Sequence, residues 1–320
     1  MRNGKDHHTE RVLTTVHSPS AAALSAVAAS WCRSAIKHGL DPDAGHRAER
    51  VSAAQLALLR EANEELLVAA APTLDNLFSS VGQTGCCLVL TDSDGVVLEA
   101  RAQQSDQSHF NRIGLASGAC WSEAVEGTNG IGTCLAEARP IAILTQDHFA
   151  SRNIGVSCID APVFDPDGQL VAALDVSSCR RDMGEATAAL IAALVQDAAR
   201  QIERDFFCSR FADTRIVYAP DQSGKGAALL AVDSDDLVVG ATRAARQRYG
   251  LTGLNPKQPK PLSDVLGLSS RPDPEASTRL MLRQALARAQ GNVTLAARSL
   301  GIGRATFYRR MERAGMLSQI

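Results

Sequence analysis

Alanine-rich stretches with apolar residues at helical spacing fill residues 20 to 70. SWCRSAIKHGLDPD reads as a helix closed by Gly39 and an Asp-Pro turn, and SAAQLALLREANEELLVAAAPTLDNLFSSV as a longer helical stretch capped at Ser52. From about Cys86 the period shortens to two. CCLVLTDSDGVVLEA gives strand, Asp-Gly turn, strand; RPIAILT gives another strand; CIDAPVFDPDGQLVAALDVSS gives a pair joined across DPDG. A helical piece, ACWSEAVEG, and a loop, TQDHFASRNIG, lie between them. In GEATAALIAALVQDAARQIERDFF, the positions Ile191, Val195, Ala198, Ile202 and Phe206 step by 4, 3, 4 and 4, the stripe of a long amphipathic helix. Such a stripe packs on its own sheet, pairs with a parallel copy of itself, or does both along different turns.

After residue 212 the pattern weakens. GAALLAVDSDDLVVGATRAARQRYGL, within residues 213 to 254, gives strand, Asp-rich turn, strand and helix, and looks like the first half of a PAS-like domain. NPKQPKPLSDVLGLSSRPDPEASTR then holds five of the 12 prolines and few apolar anchors, the composition of a linker. Helical spacing resumes with Leu280, Leu282, Ala285, Leu286 and Ala289 and stops at QGN, where Gly291 ends one helix and Asn292 caps the next. Val293, Ala296, Ala297 and Leu300 share one face of a second helix. Gly301 supplies a sharp turn, and Phe307 and Met311 face inward on a third. Short helices crossing at alanines about a glycine turn describe a helix-turn-helix. The expected fold class is α+β, with an N-terminal helical region (1–70), an antiparallel-sheet domain (71–184), a connecting helix (185–212), the partial PAS-like segment (213–254), a Pro-rich linker (255–275) and an all-α helix-turn-helix (276–320).

Composition adds one thing to this picture. The 320 residues are 45% hydrophobic and 21% charged, ordinary for a soluble chain of more than one domain. Net charge is −2, yet Arg279 to Ile320 holds eight arginines and one acid, Glu312, a local +7 that leaves −9 on the rest. A basic tail on an acidic body points to nucleic acid. The charged N-terminus lacks a signal-peptide pattern, and no apolar run approaches the ~18 residues of a membrane span. The expectation is a cytoplasmic protein with no membrane partner. Eight cysteines (32, 86, 87, 120, 134, 158, 179 and 208) include no CxxC pair, so structural zinc has no support. Cys86 and Cys87, adjacent on a strand, should point to opposite faces.

The tail GNVTLAARSLGIGRATFYRR closely resembles the Fis-type helix-turn-helix that ends bacterial enhancer-binding activators, over about forty residues. The resemblance implies that the helix from Arg304 to Arg313 enters the major groove of double-stranded operator DNA. Arg304, Thr306 and Tyr308 would face base edges, and Arg309, Arg310, Asn292 and Thr294 the phosphates. Gly303 stands where many relatives have a polar residue, so a contact or cap is expected to be missing there. One such unit reads few base pairs, so a homodimer on two half-sites is expected, with the apolar positions of Leu280 to Ala289 as its local contact. A second resemblance covers roughly residues 20 to 210. GACWSEAVEGTNGIGTCLAEARPIAILTQDHF, followed by CIDAPVFDPDGQLVAALDVSSCR, resembles the GAF-type sensory domain of the acetoin-catabolism class of sigma-54 activators. It implies a six-stranded antiparallel sheet, helices on one face, and on the other a small-molecule effector pocket lined from Trp121, Thr128, Asn129, Thr133, His148 and Cys158.

Those activators carry a AAA+ ATPase between sensor and helix-turn-helix. Here the interval is too short and no G-x-x-x-x-G-K-[ST] occurs; SGKGA, Ser223 to Ala227, lacks both the spacing and the hydroxyl. The GAFTGA sequence is also absent. The resemblance without its ATPase implies equilibrium binding rather than ATP-driven sigma-54 remodelling, with RNA polymerase or a separate AAA+ activator as protein partners to consider. EGTNGIGT follows a helical piece without G-x-G-x-x-G order and reads as a tight turn, not a phosphate cradle. His148, Asp147, His109 and Asp106 could make a 2-His-carboxylate site, but a loop histidine bonded to local backbone is the plainer reading, and no metal or cofactor is assigned. Two alternatives stay open: an accessory partner or inhibitor of a full-length AAA+ activator, and a thiol redox sensor or sulfoxide reductase. The second would use Cys120, Cys134 or Cys158 and needs a lowered thiol pKa. The basic tail argues against an enzyme.

Overall fold

Local capping chemistry sets the helix boundaries of the N-terminal region. The computed structural model describes all residues except 1, 19, 46–49, 181–183, 220–227, 252, 255–258, 268–273 and 317–320. Helix α1 (Arg2–Val16) precedes two short helices, α2 (Ala21–Leu24) and α3 (Ala26–Cys32). Ser25 caps α3 by accepting from Ala28 N, and a wider turn, Arg33–Lys37, carries the chain toward Gly39, which is left-handed at φ 66°. The stretch expected to be one long helix from Ser52 is two, α4 (Ala53–Ala62) and α5 (Glu64–Val81), divided at Asn63; Ser52 and Gln55 form a capping box.

The period-two segments build one sheet. In chain order these elements are β1 (Cys86–Thr91), β2 (Val97–Arg101), α6 (Gln104–Ile113), α7 (Glu123–Glu126), α8 (Gly130–Glu137), β3 (Ile141–Leu144), β4 (Ser157–Phe164), β5 (Leu170–Ser178) and α9 (Glu185–Arg210). The sheet order is β2-β1-β5-β4-β3, antiparallel throughout. Five strands stand where six were expected among the described residues. The segments between the hairpins are taken by helices, and beyond them only isolated bridges occur, Val96 with Cys120 and Arg50 with Ala119. In both hairpins the first Asp of a D-x-D-G turn folds its carboxylate back onto the backbone. Asp92 accepts from Asp94 N and Val96 N, and Asp165 from Asp167 N and Gln169 N.

Alternation splits the sheet into two packed faces. Leu88, Leu90, Ile159, Leu174 and Val176 meet Leu74 of α5 and Ile191, Val195 and Ile202 of α9, so the α9 stripe lies on its own sheet. Cys87, Val89, Cys158 and Ala173 meet Phe110, Leu115, Trp121 and Ile131 on the other face. Cys86 belongs to the first cluster and Cys87 to the second, as strand geometry requires. Helices thus cover both faces rather than one.

A second sheet follows, β6 (Arg215–Ala219), β7 (Ala228–Val232) and β8 (Leu237–Ala241), with α10 (Arg243–Tyr249) and an edge strand β9 (Lys260–Pro261), in the order β6-β7-β8-β9. The Asp device recurs at Asp233, which accepts from Asp235 N and Leu237 N. Part of the stretch read as a linker is therefore structured: β9, then α11 (Leu262–Val265), because Lys260–Pro261 extends along an open sheet edge where proline is tolerated. Contacts divide the chain into two compact units, Met1–Lys260 and Pro261–Ile320.

In the second unit α12 (Pro274–Arg288), α13 (Val293–Ser299) and α14 (Arg304–Arg313) surround a small core. Leu282, Ala285, Ala296, Ala297, Phe307 and Met311 are buried in it, and Leu286 and Ala289 pack against it. Those apolar positions of α12, expected as a dimer contact, face the unit's own interior, since three short helices have no other apolar material to close a core. The Leu280 side chain lies outside the described set. Gly291 (φ 84°) ends α12, its N–H donating to Leu286 O, and Gly301 (φ 62°) makes the turn between α13 and α14.

Candidate functional site

Strand parity places an unusual set of polar residues on the α8 side of the first sheet. Cys158 and Asp160 on β4, and Asp175 and Ser177 on β5, all point away from α9, with Asp160 opposite Asp175 in the register. They form a buried line. His148 Nδ1 lies 3.1 Å from Thr145 O and its Nε2 3.4 Å from Cys158 Sγ; Ser177 Oγ lies 3.2 Å from that sulfur and 2.7 Å from Asp175 Oδ2. Both oxygens of Asp160, and Oδ1 of Asp175, find no donor among the described residues. Burial pushes Asp175 up to about 7 and Asp160 well above the ordinary carboxyl range, with the neighbouring Asp175 charge adding to it. Burial of two facing carboxyls disfavours ionising both, and a proton retained on one of them would supply the missing donor.

The roof of this site explains one glycine. A Cβ at Gly130 would meet Asp160 Oδ2 at 1.9 Å and Cys158 Cβ at 2.4 Å, so the first residue of α8 can only be glycine if the helix is to sit on these side chains. EGTNGIGT is therefore a turn that seats a helix on a sheet. Beside the line lies a cavity of about 280 Å³ lined by Cys87, Ala100, Phe110 and Leu115 together with Gln107, Asn111 and Ser117, and its surface is more polar than apolar. Cys87 is directly across from Ser177 in the strand register, so the cavity and the polar line adjoin.

The six sensor residues named from the sequence are all buried, and they do three different things. His148 and Cys158 belong to the polar line. Trp121 and Asn129 hold backbone: Trp121 Nε1 donates to Gly114 O, while Asn129 caps α8 by accepting from Gly132 N and donates to Trp121 O and Gly127 O. Thr128 and Thr133 face the N-terminal helices. Their hydroxyls lie 2.7 and 3.2 Å from Ser30 Oγ, and Ser30 donates to Glu123. Arg33 completes that cluster with two bonds of 2.9 Å to Glu123 and one of 2.8 Å to Glu137. None of the six borders the 280 Å³ cavity. Sequence reasoning missed Asp160 and Asp175, although CIDAPVF and AALDVSS each place one acid inside an apolar strand.

The other candidate chemistry separates as follows. His148 is fully buried and desolvation lowers it to about 4, while His109 on α6 is bonded by Arg112. No group of three or more His, Cys, Asp or Glu is arranged to hold a metal ion among the described residues. Burial pushes the Cys134 and Cys158 thiols well up, opposite to what a redox-sensing thiolate needs.

On the second unit α14 turns one face inward through Phe307 and Met311 and leaves Arg304, Tyr308 and Arg309 exposed, with Thr306 and Arg310 half-buried. The Arg304 guanidinium lies 5.7 Å from the Tyr308 ring centroid, and Arg309 donates to Thr306 Oγ1 at 3.5 Å. Asn292 is exposed and its Oδ1 caps α13 by accepting from Thr294 N and Leu295 N; Thr294 is exposed beside it. Gly303 is the N-cap of α14 and offers no side-chain acceptor, so the missing cap read from the sequence is missing in the fold.

Comparison with known proteins agrees with both halves. The family described as MimR, N-terminal domain, matches residues 4–204, and the family described as Bacterial regulatory protein, Fis family, matches residues 279–313. The chain is 30% identical over 208 residues to the acetoin catabolism regulatory protein of Cupriavidus necator, covering 62% of this chain and 31% of that protein. It is 32% identical over 160 residues to the acetoin dehydrogenase operon transcriptional activator AcoR of Bacillus subtilis, covering 48% and 26%. It is 30% identical over 197 residues to the propane 2-monooxygenase operon transcriptional activator MimR of Mycolicibacterium smegmatis, covering 61% and 32%. The chain thus matches about a third or less of each relative's length. The structure of the E. coli DhaR(N)-DhaL complex shares the fold over 75% of this chain and 80% of that one, with a TM-score of 0.52 at 13% identity. Matched over more than half its length, with a Fis-family segment near its C-terminal end, the chain belongs to the family of the MimR N-terminal domain.

Proposed function

We propose that the chain is a cytoplasmic transcriptional regulator whose first unit senses a small molecule and whose second unit binds operator DNA as a homodimer. It works by equilibrium binding, without ATP hydrolysis and without enzymatic turnover. The observation that carries the reading is the outward face of α14, where Arg304, Tyr308 and Arg309 are presented on a helix locked from behind by Phe307 and Met311. Arg304, Thr306 and Tyr308 read base edges; Arg309, Arg310 and Thr294 take phosphates, with Asn292 offering its remaining amide donors beside its capping role. The effector occupies the cavity beside Cys87, its polar end toward Ser177 and the Asp175–Asp160 pair, with His148 and Cys158 behind them. Trp121, Thr128, Asn129 and Thr133 hold that site's frame. A cavity of about 280 Å³ that joins polar groups to a smaller apolar surface suits a small uncharged oxygenated metabolite, a class in keeping with relatives named for acetoin and propane catabolism. Among the described residues no helix is long and apolar enough to cross a membrane.

The test is a gel shift on the promoter region beside the protein's own gene. Replacing Arg304 and Arg309 together by Ala should weaken binding about a hundredfold, and wild-type affinity should fall by about 0.9 log unit per contacted phosphate per decade of salt. Unchanged binding in the double variant, or a flat salt response, overturns the assignment.

A further inference from the structure

A second cavity, of about 400 Å³, lies on the α9 side of the first sheet, between β4, the turn after α8, α9 and α10. Among its charged lining residues cations prevail: Arg139 from the turn, Arg200 from α9 and Arg243 from the start of α10, against a single acid, Glu203. Arg243 is the informative one. Its guanidinium carbon stands 3.8 Å from the centroid of the Phe164 ring, and it makes no hydrogen bond or ion pair to any described residue. Stacking occupies the face of a guanidinium and leaves the N–H donors along its edge, the geometry that takes a carboxylate or phosphate in a fork. Arg139 and Arg200 stand at the rim, held by the neighbouring acids Glu137 and Asp197.

Glu203 does not neutralise the arginines. Its carboxylate accepts from Phe164 N at 3.1 Å, and burial pushes it up to about 7 against the pull of that N–H, Arg243 and Arg200, so near neutral pH much of its charge is gone. The lining therefore carries a net positive charge in a concave site with one unused guanidinium edge. The second sheet's helix is also tied to the β4–β5 turn, where Arg246 meets Asp167 at 3.5 Å. A molecule in the cavity would touch the sensor sheet, the connecting helix and α10 at once.

We propose that this cavity is a second ligand site, separate from the effector cavity, that binds a small anionic metabolite through Arg243, with Arg139 and Arg200 closing on the other side. Carboxylates and phosphate esters share the required chemistry. Calorimetric titration of the full chain separates them, with succinate and glycerol 3-phosphate as anionic probes and butane-2,3-diol as the neutral one. One site per chain is expected for at least one anion, at least tenfold weaker in Arg243→Gln and a few-fold weaker in Arg139→Gln. Glu203→Gln removes the opposing charge without removing a donor to the ligand and should tighten anion binding a few-fold at pH 8. Circular dichroism of each variant checks that it is folded, and the gain in Glu203→Gln cannot arise from misfolding. Failure of both anions to bind at millimolar concentration overturns the proposal. So does equal affinity in a folded Arg243→Gln, or displacement of the anion by the neutral diol at comparable concentration.

Discussion

Asp160 and Asp175 are acids placed where a charge is costly, and the sign of their effect on stability follows directly. The folded protein holds protons that the unfolded chain has released above about pH 4, so this pair favours the native state at low pH and disfavours it as pH rises toward and past 7. His148 runs the other way, since its lowered value near 4 makes the unfolded chain the better proton binder between about 4 and 6.5. Above pH 6.5 the histidine contribution is complete and only the carboxyls remain. Asp160→Asn keeps the shape, gives Asp175 a donor and removes one buried charge. Urea unfolding should find this variant more stable than wild type at pH 8 by about 1–3 kcal/mol, and nearly equal at pH 5. Equal pH slopes in the two proteins would show that the pair does not share a proton. The opposite case is Gly130, where even Gly130→Ala should displace α8, because the Asp160 and Cys158 side chains leave no room for a methyl group.

At the level of elements, the N-terminal helices are joined to the sensor by a buried polar contact as well as by the apolar cluster of Val12, Trp31 and Phe149. Glu123 is 5% exposed and depends on Arg33 and Ser30. Arg33→Ala strands that carboxylate and should cost about 2–4 kcal/mol in urea unfolding. Adding Glu123→Gln should recover at least half of the loss, whereas a simple packing role for Arg33 would leave the double variant as unstable as the single one. This junction also marks how far the sequence could be read. The α9 stripe, the D-x-D-G hairpins and the helix-turn-helix were legible because each is written in residues that are neighbours in the chain. Helix α1 was not, since RNGKDHHTERVL shows no apolar stripe and Val12 finds its place only against Trp31 and Phe149. Thr128 and Thr133 were read as pocket lining from their place in the motif. They turn to Ser30 instead, because a helix nearly a hundred residues upstream covers that end of the sheet. Asp160 and Asp175 gave a visible signal, an acid in each apolar strand, but their partnership needs the strand register, which the chain does not spell out locally.

For the whole molecule, the question is how one small basic unit obtains specificity. The side of α12 that carries Leu282 and Ala285 is occupied by its own core, so a dimer through those two residues would have to open that core. On α9, Leu190 is 64% and Leu194 37% exposed, and both lie on the turns that face away from the sheet cluster. A parallel pairing along those turns would leave the stripe on the sheet intact. Two heads held by such a dimer read half-sites about one helical turn apart. Inserting five base pairs between half-sites then places the second on the opposite side of the duplex. Operator affinity should fall to about that of a single half-site, and inserting ten should restore most of it. Leu190→Glu together with Leu194→Glu should produce the same loss on the unaltered operator, accompanied by a monomer in sedimentation. If the variant stays dimeric, the subunits associate through another surface; if affinity ignores the five-base-pair insertion, the heads bind independently. In the second case an effector could act only on each head's own conformation, so its influence on occupancy would not depend on half-site spacing.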